Sequence, residues 1–244
     1  MNISVFFLFL ALISEIVGTI GGFGSSVFFV PIANFYFDFH SVLGLVALFH
    51  LSSNLSKIAL FKKGLDKSLL IYIGVPSLIF VVLGGVLSNY LNQYYVSLFL
   101  GFFLAGLSLL FLIKKNLVIK AGKKQSIIGG SLSGFFSGFL GTGGAIRGLT
   151  MAAFNLKKEV FIATSAFIDF VVDGVRAVIY YQNGYIHKHD MIYVPFLLII
   201  GLVGTYIGKK ILNRISQERF KRITLYLILL IGLVSIVSFI RTIK

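Results

Sequence analysis

The sequence predicts an all-α polytopic membrane protein made of two inverted repeats, each a glycine-broken helical hairpin plus three transmembrane helices. Three observations carry that prediction. Mean hydropathy is +0.97 and only 12% of residues are charged, against roughly a quarter in a soluble domain. A glycine-interrupted apolar stretch occurs twice. Most lysines and arginines crowd into four short segments between apolar runs.

The first apolar run, Ile3–Ile20, has no basic start and contains Glu15, so it reads as a first helix and not as a cleaved leader. It leads into Gly18-Thr-Ile-Gly-Gly-Phe-Gly-Ser-Ser-Val-Phe-Phe-Val-Pro31. Glycines let the chain turn sharply and leave amides and carbonyls uncovered, which a bilayer tolerates only against protein or a wet cavity. The run that resumes, Val27–Phe37, is too short for a hydrocarbon core of about 30 Å, which takes about 20 residues. It is the returning arm of a hairpin. Val42–Phe61, Leu69–Leu87 and Tyr95–Ile113 follow as spans.

The pattern then starts again. Ser126–Leu140 leads into Gly138-Phe-Leu-Gly-Thr-Gly-Gly-Ala-Ile-Arg-Gly-Leu-Thr-Met151, 120 positions after the first break. Ile146–Leu156 is the second returning arm, and Val160–Tyr180, Met191–Gly208 and Phe220–Ile240 are the remaining spans. Residues 1–116 thus form the first repeat, 117–124 a basic cytoplasmic linker, and 125–244 the second, inverted repeat.

Charge sets the orientation. Of 22 Lys and Arg, 16 lie in Lys62–Lys67, Lys114–Lys124, Lys157–Lys158 and Lys209–Arg222. Placing all four segments in the cytoplasm obeys the positive-inside rule. It requires each glycine hairpin to enter and leave on one side, and it puts both termini on the extracytoplasmic side. If each broken segment crossed once, Lys209–Arg222 would face outward with six basic residues. Further matches keep chain order, as repeats should: Pro76 with Pro195 and Lys57 with Arg176 at an offset of 119, Gly84 with Gly204 and Gly64 with Gly184 at 120.

Composition also excludes several functions. A formal charge of +14 would suggest nucleic acid in a soluble protein, but here the lysines orient spans. The expected partners are the lipid bilayer and a small anionic substrate, with no nucleic acid; a homo-oligomer remains open. The chain has no cysteine, which rules out thiolate chemistry and disulfides. No Gly-x4-Gly-Lys-Ser/Thr motif is present for ATP. His40 reads as interfacial, and His187 and His189 lie in a loop with no partners at metal-ligand spacing, so neither metal nor cofactor is expected.

Six charged residues fall inside apolar segments: Glu15, Lys57, Arg147, Asp169, Asp173 and Arg176. Each costs about 2.5–3.5 kcal/mol at mid-helix on insertion scales and therefore needs a partner or a polar cavity. Asp169, Asp173 and Arg176 share one helix face at i, i+4, i+7. The matching positions in the first half hold His50, Asn54 and Lys57, with Ser53 and Ser165 near the two faces. Polar stripes at equivalent positions of inverted halves are expected to face each other, the alternative for Asp173 being a local pair with Arg176. Arg147 follows Gly143-Gly144 at the start of the second arm, where unpaired amides and the helix dipole favour an anion. Substrate binding is therefore expected at Gly22, Gly24, Ser25, Ser26, Gly141, Thr142, Gly143, Gly144, Arg147, Arg176, Lys57 and Asn54. Asp169, Asp173, His50 and Glu15 are the candidate proton carriers. The blander alternatives are an Arg147 that snorkels to an interface and glycines that only permit close packing.

At its glycine stretches the chain resembles the sulfite exporter TauE/SafE family, also called the toluene sulfonate uptake permease family. Its members carry two copies of Gly-x-Gly-Gly-Gly, usually followed by a short apolar run and proline. Here the copies read Gly22-Phe-Gly-Ser-Ser with Pro31, and Gly141-Thr-Gly-Gly-Ala without proline. The resemblance covers nearly the whole chain and implies a carrier of sulfite, organosulfonate or organic-acid anions in a cell (plasma or inner) membrane. With the residues above, it gives a non-enzymatic secondary active permease working by alternating access, with proton coupling or passive uniport. The rivals are an intramembrane enzyme sharing a proton between Asp169 and Asp173, and an anion channel.

Overall fold

A computed structural model describes residues 4–61, 64–88, 90, 93–114 and 117–243. Lys62, Lys63, Lys115 and Lys244, counted above among the basic residues, lie outside that set. All regular structure among the described residues is helical.

Helix α1 (Val5–Gly21) opens on Ser4, whose hydroxyl accepts from the Phe7 N–H at 3.2 Å. It stops where Gly22 turns left-handed at φ +80°, a conformation that a Cβ disfavours. The short α2 (Ser26–Ala33) returns from that bend. Asp38 then starts α3 (Phe39–Leu60) by accepting the His40 and Ser41 amides at 3.1 Å, an N-cap. Helix α4 (Lys67–Leu69) runs through a π turn at Leu70–Gly74 into α5 (Val75–Leu87). The widening falls just before Pro76, which has no N–H for the regular ladder. Helix α6 (Gln93–Ile113) completes the first half.

The second half repeats the order. Helix α7 (Lys123–Leu140) ends on a left-handed Gly141 at φ +73°, and α8 (Gly144–Ala153) returns. Then come α9 (Lys158–Gln182), a 3-10 turn at Asp190–Tyr193 ahead of Pro195, α10 (Val194–Leu212) and α11 (Gln217–Ile243). Every expected span and both short arms are helices, with ends moved by a few residues.

Among the described residues, five helices are long and apolar enough to cross a membrane: Phe39–Leu60, Lys67–Leu87, Tyr94–Ile113, Asp190–Leu212 and Gln217–Ile240. Of the eight spans expected from the sequence, the other three are α1, α7 and α9. Helix α1 is apolar but has only 17 residues. Helix α7 is rich in glycine and serine, and α9 carries Asp169, Asp173 and Arg176. The most apolar helices lie outside. Only 29% and 28% of the apolar windows of α6 and α11 are buried, against 61% for α3.

Packing follows from small residues. Helix α5 lies against α7, α1 against α10, α3 against α9, and α6 against α11, while α3 also touches α10 and α9 touches α5. Gly130, Gly134 and Gly138 of α7 sit directly on the backbone of Ile73, Ser77 and Val81, where any Cβ would collide with carbonyl oxygens. Such ridges let membrane helices approach closely.

The basic segments gather at one end. The Lys209 ammonium donates to the Leu60 carbonyl at 2.9 Å, the Lys158 ammonium to Ile215 O at 2.7 Å, and the Ile119 N–H to Ala153 O at 2.8 Å. The start of α3 and the α9–α10 connection meet at the opposite end, where Ser41 Oγ lies 2.7 Å from His187 Nδ1.

Candidate functional site

The two glycine bends touch. Phe23, between Gly22 and Gly24, lays its backbone carbonyl against Gly144 and its ring against Gly148 of α8. Gly24 is left-handed at φ +94°, and a Cβ there would sit 3.7 Å from Asp169 and 3.9 Å from His50. Around this contact lie all six charged residues that the sequence places in apolar segments, each buried.

Three ion pairs form. On one side Lys57 Nζ lies 2.8 Å from Glu15 Oε1. Glu15 is fully enclosed and accepts four hydroxyls besides: Ser25 at 2.5 Å, Ser53 at 2.7 Å, Thr205 at 3.0 Å and Thr19 at 3.1 Å. Next to it, Asp173 Oδ1 lies 2.9 Å from Arg176 Nε, an ion pair without hydrogen-bond alignment. Its other oxygen accepts the Asn54 amide at 2.7 Å. Arg176 also donates to the Gly141 carbonyl at 2.8 Å, so it clasps the second bend. The Tyr180 hydroxyl does likewise at Gly138, at 2.6 Å. On the far side Arg147 pairs with Asp169 and donates to Ser165 Oγ at 2.9 Å and Ser133 Oγ at 3.3 Å.

His50 links the first two pairs. Its Nε2 lies 2.9 Å from Ser25 Oγ, and its Nδ1 lies 3.7 Å from Asp173 Oδ2. The second distance is beyond a hydrogen bond, so the hydrogen-bonded chain Glu15, Ser25, His50 stops short of Asp173. Burying charges is tolerated because each is paired and its remaining donors or lone pairs are largely met.

The expected stripes do meet: Asn54 and His50 of α3 reach Asp173 of α9. The local Asp173–Arg176 pair, posed as an alternative, is present as well. Lys57, expected to join a cationic cradle, is paired with Glu15, and Arg147 and Arg176 are likewise each held by a carboxylate. The cradle is therefore charge-balanced. Arg147 does not snorkel, being fully buried in the first turn of α8. Ser25 caps α2 by position but spends its hydroxyl on Glu15 and His50. Ser26, Gly143 and Gly144 are buried at the arm starts, and Thr142 is half-buried.

Thr19, Thr205, Ser133 and Tyr180 complete the network without having been anticipated. Thr19 was legible, one helical turn after Glu15. Thr205 was not, because it reaches Glu15 from α10, 190 positions away.

Comparison with known proteins places this geometry in context. The sulfite exporter TauE/SafE family matches residues 6–235. A protein of Methanocaldococcus jannaschii named a probable membrane transporter is 26% identical over 229 residues, covering 84% of this chain and 85% of the relative. No solved structure matches the chain. A helical membrane chain with paired glycine bends around a buried ionic cluster, matched along almost its full length, belongs to the sulfite exporter TauE/SafE family of membrane transporters.

Proposed function

We propose that this transporter is a secondary active permease for a small oxyanion of the sulfite, sulfonate or organic-acid type, coupled to protons and working by alternating access between two inverted halves. The observation that carries this reading is the ionic cluster at the contact of the two bends. Among its acids, Asp169 is the least enclosed, at 7% exposure, and its ionic partner is Arg147. A proton arriving on Asp169 neutralises it and releases the Arg147 guanidinium, which can then take a bidentate oxyanion in its place. Substrate and proton thus enter as a neutral pair, and the enclosed site never holds an unpaired charge.

The helix pairing supports the inverted halves. Exchanging corresponding elements turns α1-on-α10 into α7-on-α5 and α3-on-α10 into α9-on-α5, and the structure has both members of each exchange. Glycine-broken hairpins meeting at mid-bundle are what alternating-access carriers use for binding. The gathering of basic segments at one end favours a cytoplasmic position for that end and an extracytoplasmic one for the termini of a plasma-membrane protein. The enzyme reading is weaker, because Asp169 and Asp173 are engaged by different arginines and not by each other.

The test is uptake into proteoliposomes of labelled sulfite, an arylsulfonate and acetate under an imposed pH gradient. Saturable, gradient-driven accumulation of at least one anion is expected, lost in Arg147→Ala and Arg176→Ala. Transport unchanged in both variants, or flux indifferent to the gradient, overturns the reading.

A further inference from the structure

A second cluster lies away from the ionic site, at the end of the bundle opposite the lysine-rich segments. The α9–α10 connection carries His187, His189 and Asp190 within four positions. In space one donor atom from each lies within 4.8 Å of the others. The histidines lack the spacing of a metal-ligand motif, but the turn closed by the Asp190 N–H on the His187 carbonyl at 3.1 Å brings the carboxylate back to both rings.

Three features of this cluster are unlike an ordinary surface ion pair. Asp190 is 3% exposed, yet both of its carboxylate oxygens lack a hydrogen-bond partner. A carboxylate buried in that state is costly unless a cation completes it. Each oxygen instead faces a different imidazole nitrogen without bonding to it: His187 Nδ1 at 3.5 Å and His189 Nε2 at 3.2 Å. Donors about 2.0–2.1 Å from a tetrahedral zinc ion stand about 3.3 Å apart, the edge of the tetrahedron. The two rings also lie parallel, 8° between planes, while their side chains keep 37% and 59% exposure, so an ion from solvent can reach them.

We propose that His187, His189 and Asp190 form a binding site for one first-row transition-metal dication of the zinc class. Two imidazoles and a carboxylate, in a chain without cysteine, suit that class better than the hard calcium or magnesium ions, which take oxygen ligands. The fourth position is left to water. Ser41 Oγ donates to Asp38 Oδ2 at 2.7 Å and accepts from His187 Nδ1 at 2.7 Å; the ion would replace that Nδ1 proton and leave Oγ free to accept from the water. The bound ion would tie the α9–α10 connection to the start of α3, the helix that supplies His50, Asn54 and Lys57 to the ionic site.

The experiment uses the full chain in detergent, stripped with a chelator and titrated with zinc alone by calorimetry, with metal content measured after desalting. One equivalent per chain is expected, weakened by more than about 100-fold in the His187→Ala/His189→Ala double variant and unchanged in His40→Ala. Both altered histidines are partly exposed, so the variant keeps its fold, which its melting curve without zinc verifies. Zinc should raise the melting temperature of the wild type and leave that of the double variant alone. Cobalt in place of zinc should give the intense visible bands of a tetrahedral site. Substoichiometric binding, an equal titration in the double variant, or a weak octahedral cobalt spectrum overturns the proposal. None of these readouts involves transport, so the result stands apart from the permease reading.

Discussion

Replacing Glu15 with glutamine tests the ionic cluster most directly. The side chain keeps its size and one carbonyl oxygen, so it can still accept from Ser53 or Thr205, but the charge opposite Lys57 is gone. Lys57 is 3% exposed, and its ammonium keeps neutral acceptors alone, the Ser53 hydroxyl at 2.6 Å and the new amide oxygen. Removing one member of a buried ion pair costs about 3–5 kcal/mol, because the other charge stays enclosed without compensation. At about 1.4 kcal/mol per decade, the folded-to-unfolded ratio should fall by about 10²–10⁴. The double variant Glu15→Gln/Lys57→Met removes both charges and should recover most of that loss. Reversible unfolding in bicelles, read for the wild type, both single variants and the double, gives the coupling directly. A single-variant cost below about 1 kcal/mol, the level of an exposed pair, would refute the claim that this pair is enclosed. So would a double variant no more stable than Glu15→Gln.

Other predictions follow from neighbouring contacts. Asp169→Asn leaves Arg147 without its anion and should abolish the pH dependence of uptake while substrate still binds, as read by uptake against a gradient and by thermal shift with the same anion. Gly134→Val drives two methyls into the α5 backbone at Ser77 and should prevent accumulation of folded protein, whereas Gly106→Ala, with nothing within 4 Å of the added carbon, should be neutral or slightly stabilising by thermal melt. Gly204→Leu presses on Glu15, whose Cγ lies 2.7 Å from the position of a Cβ there, and should reduce uptake in the same proteoliposomes. Asp38→Ala removes the α3 cap and should cost about 1 kcal/mol. Burial raises the Asp38 pKa, but hydrogen bonds from Ser41 and His40 and the neighbouring His187 outweigh it, so the folded carboxyl titrates below its ordinary 3.8. Its stabilisation is therefore complete above that value and lost as pH falls through the lower folded one, and a melting series in acid should show that loss in the wild type only.

Much of this was legible because membrane insertion is unforgiving. Uninterrupted apolar runs fix helices, and a charge within one has to be answered, so Glu15, Lys57, Arg147, Asp169, Asp173 and Arg176 stood out before any contact was known. What the sequence did not carry was the pairing. Glu15 is 42 positions from Lys57, and nothing local distinguishes that partner from Arg147 or Arg176. Only the Asp173–Arg176 pair, three residues apart on α9, is local enough to read from the sequence; tertiary packing alone brings Glu15 to Lys57 and Arg147 to Asp169. The hydroxyls of Thr205 and Ser133 were illegible for a related reason, since serine and threonine are common in membrane helices and only the fold shows which of them turn inward. His187, His189 and Asp190 were adjacent in sequence all along, but their spacing matches no extended ligand motif, and only the tight turn after His189 assembles them.

The one-to-one matching of buried acids and bases has a consequence for energetics across the bilayer. A single elementary charge moved through the field is worth about 2.3 kcal/mol per 100 mV, but three cations and three carboxylates moving together do no net electrical work. Under the proposed mechanism, rocking of the cluster is then invisible to the membrane voltage, and a monovalent anion carried with one proton adds no net charge. An ionophore-set potassium diffusion potential should leave the rate where it was, so the chemical gradients of proton and anion alone would set how far the carrier can concentrate its cargo.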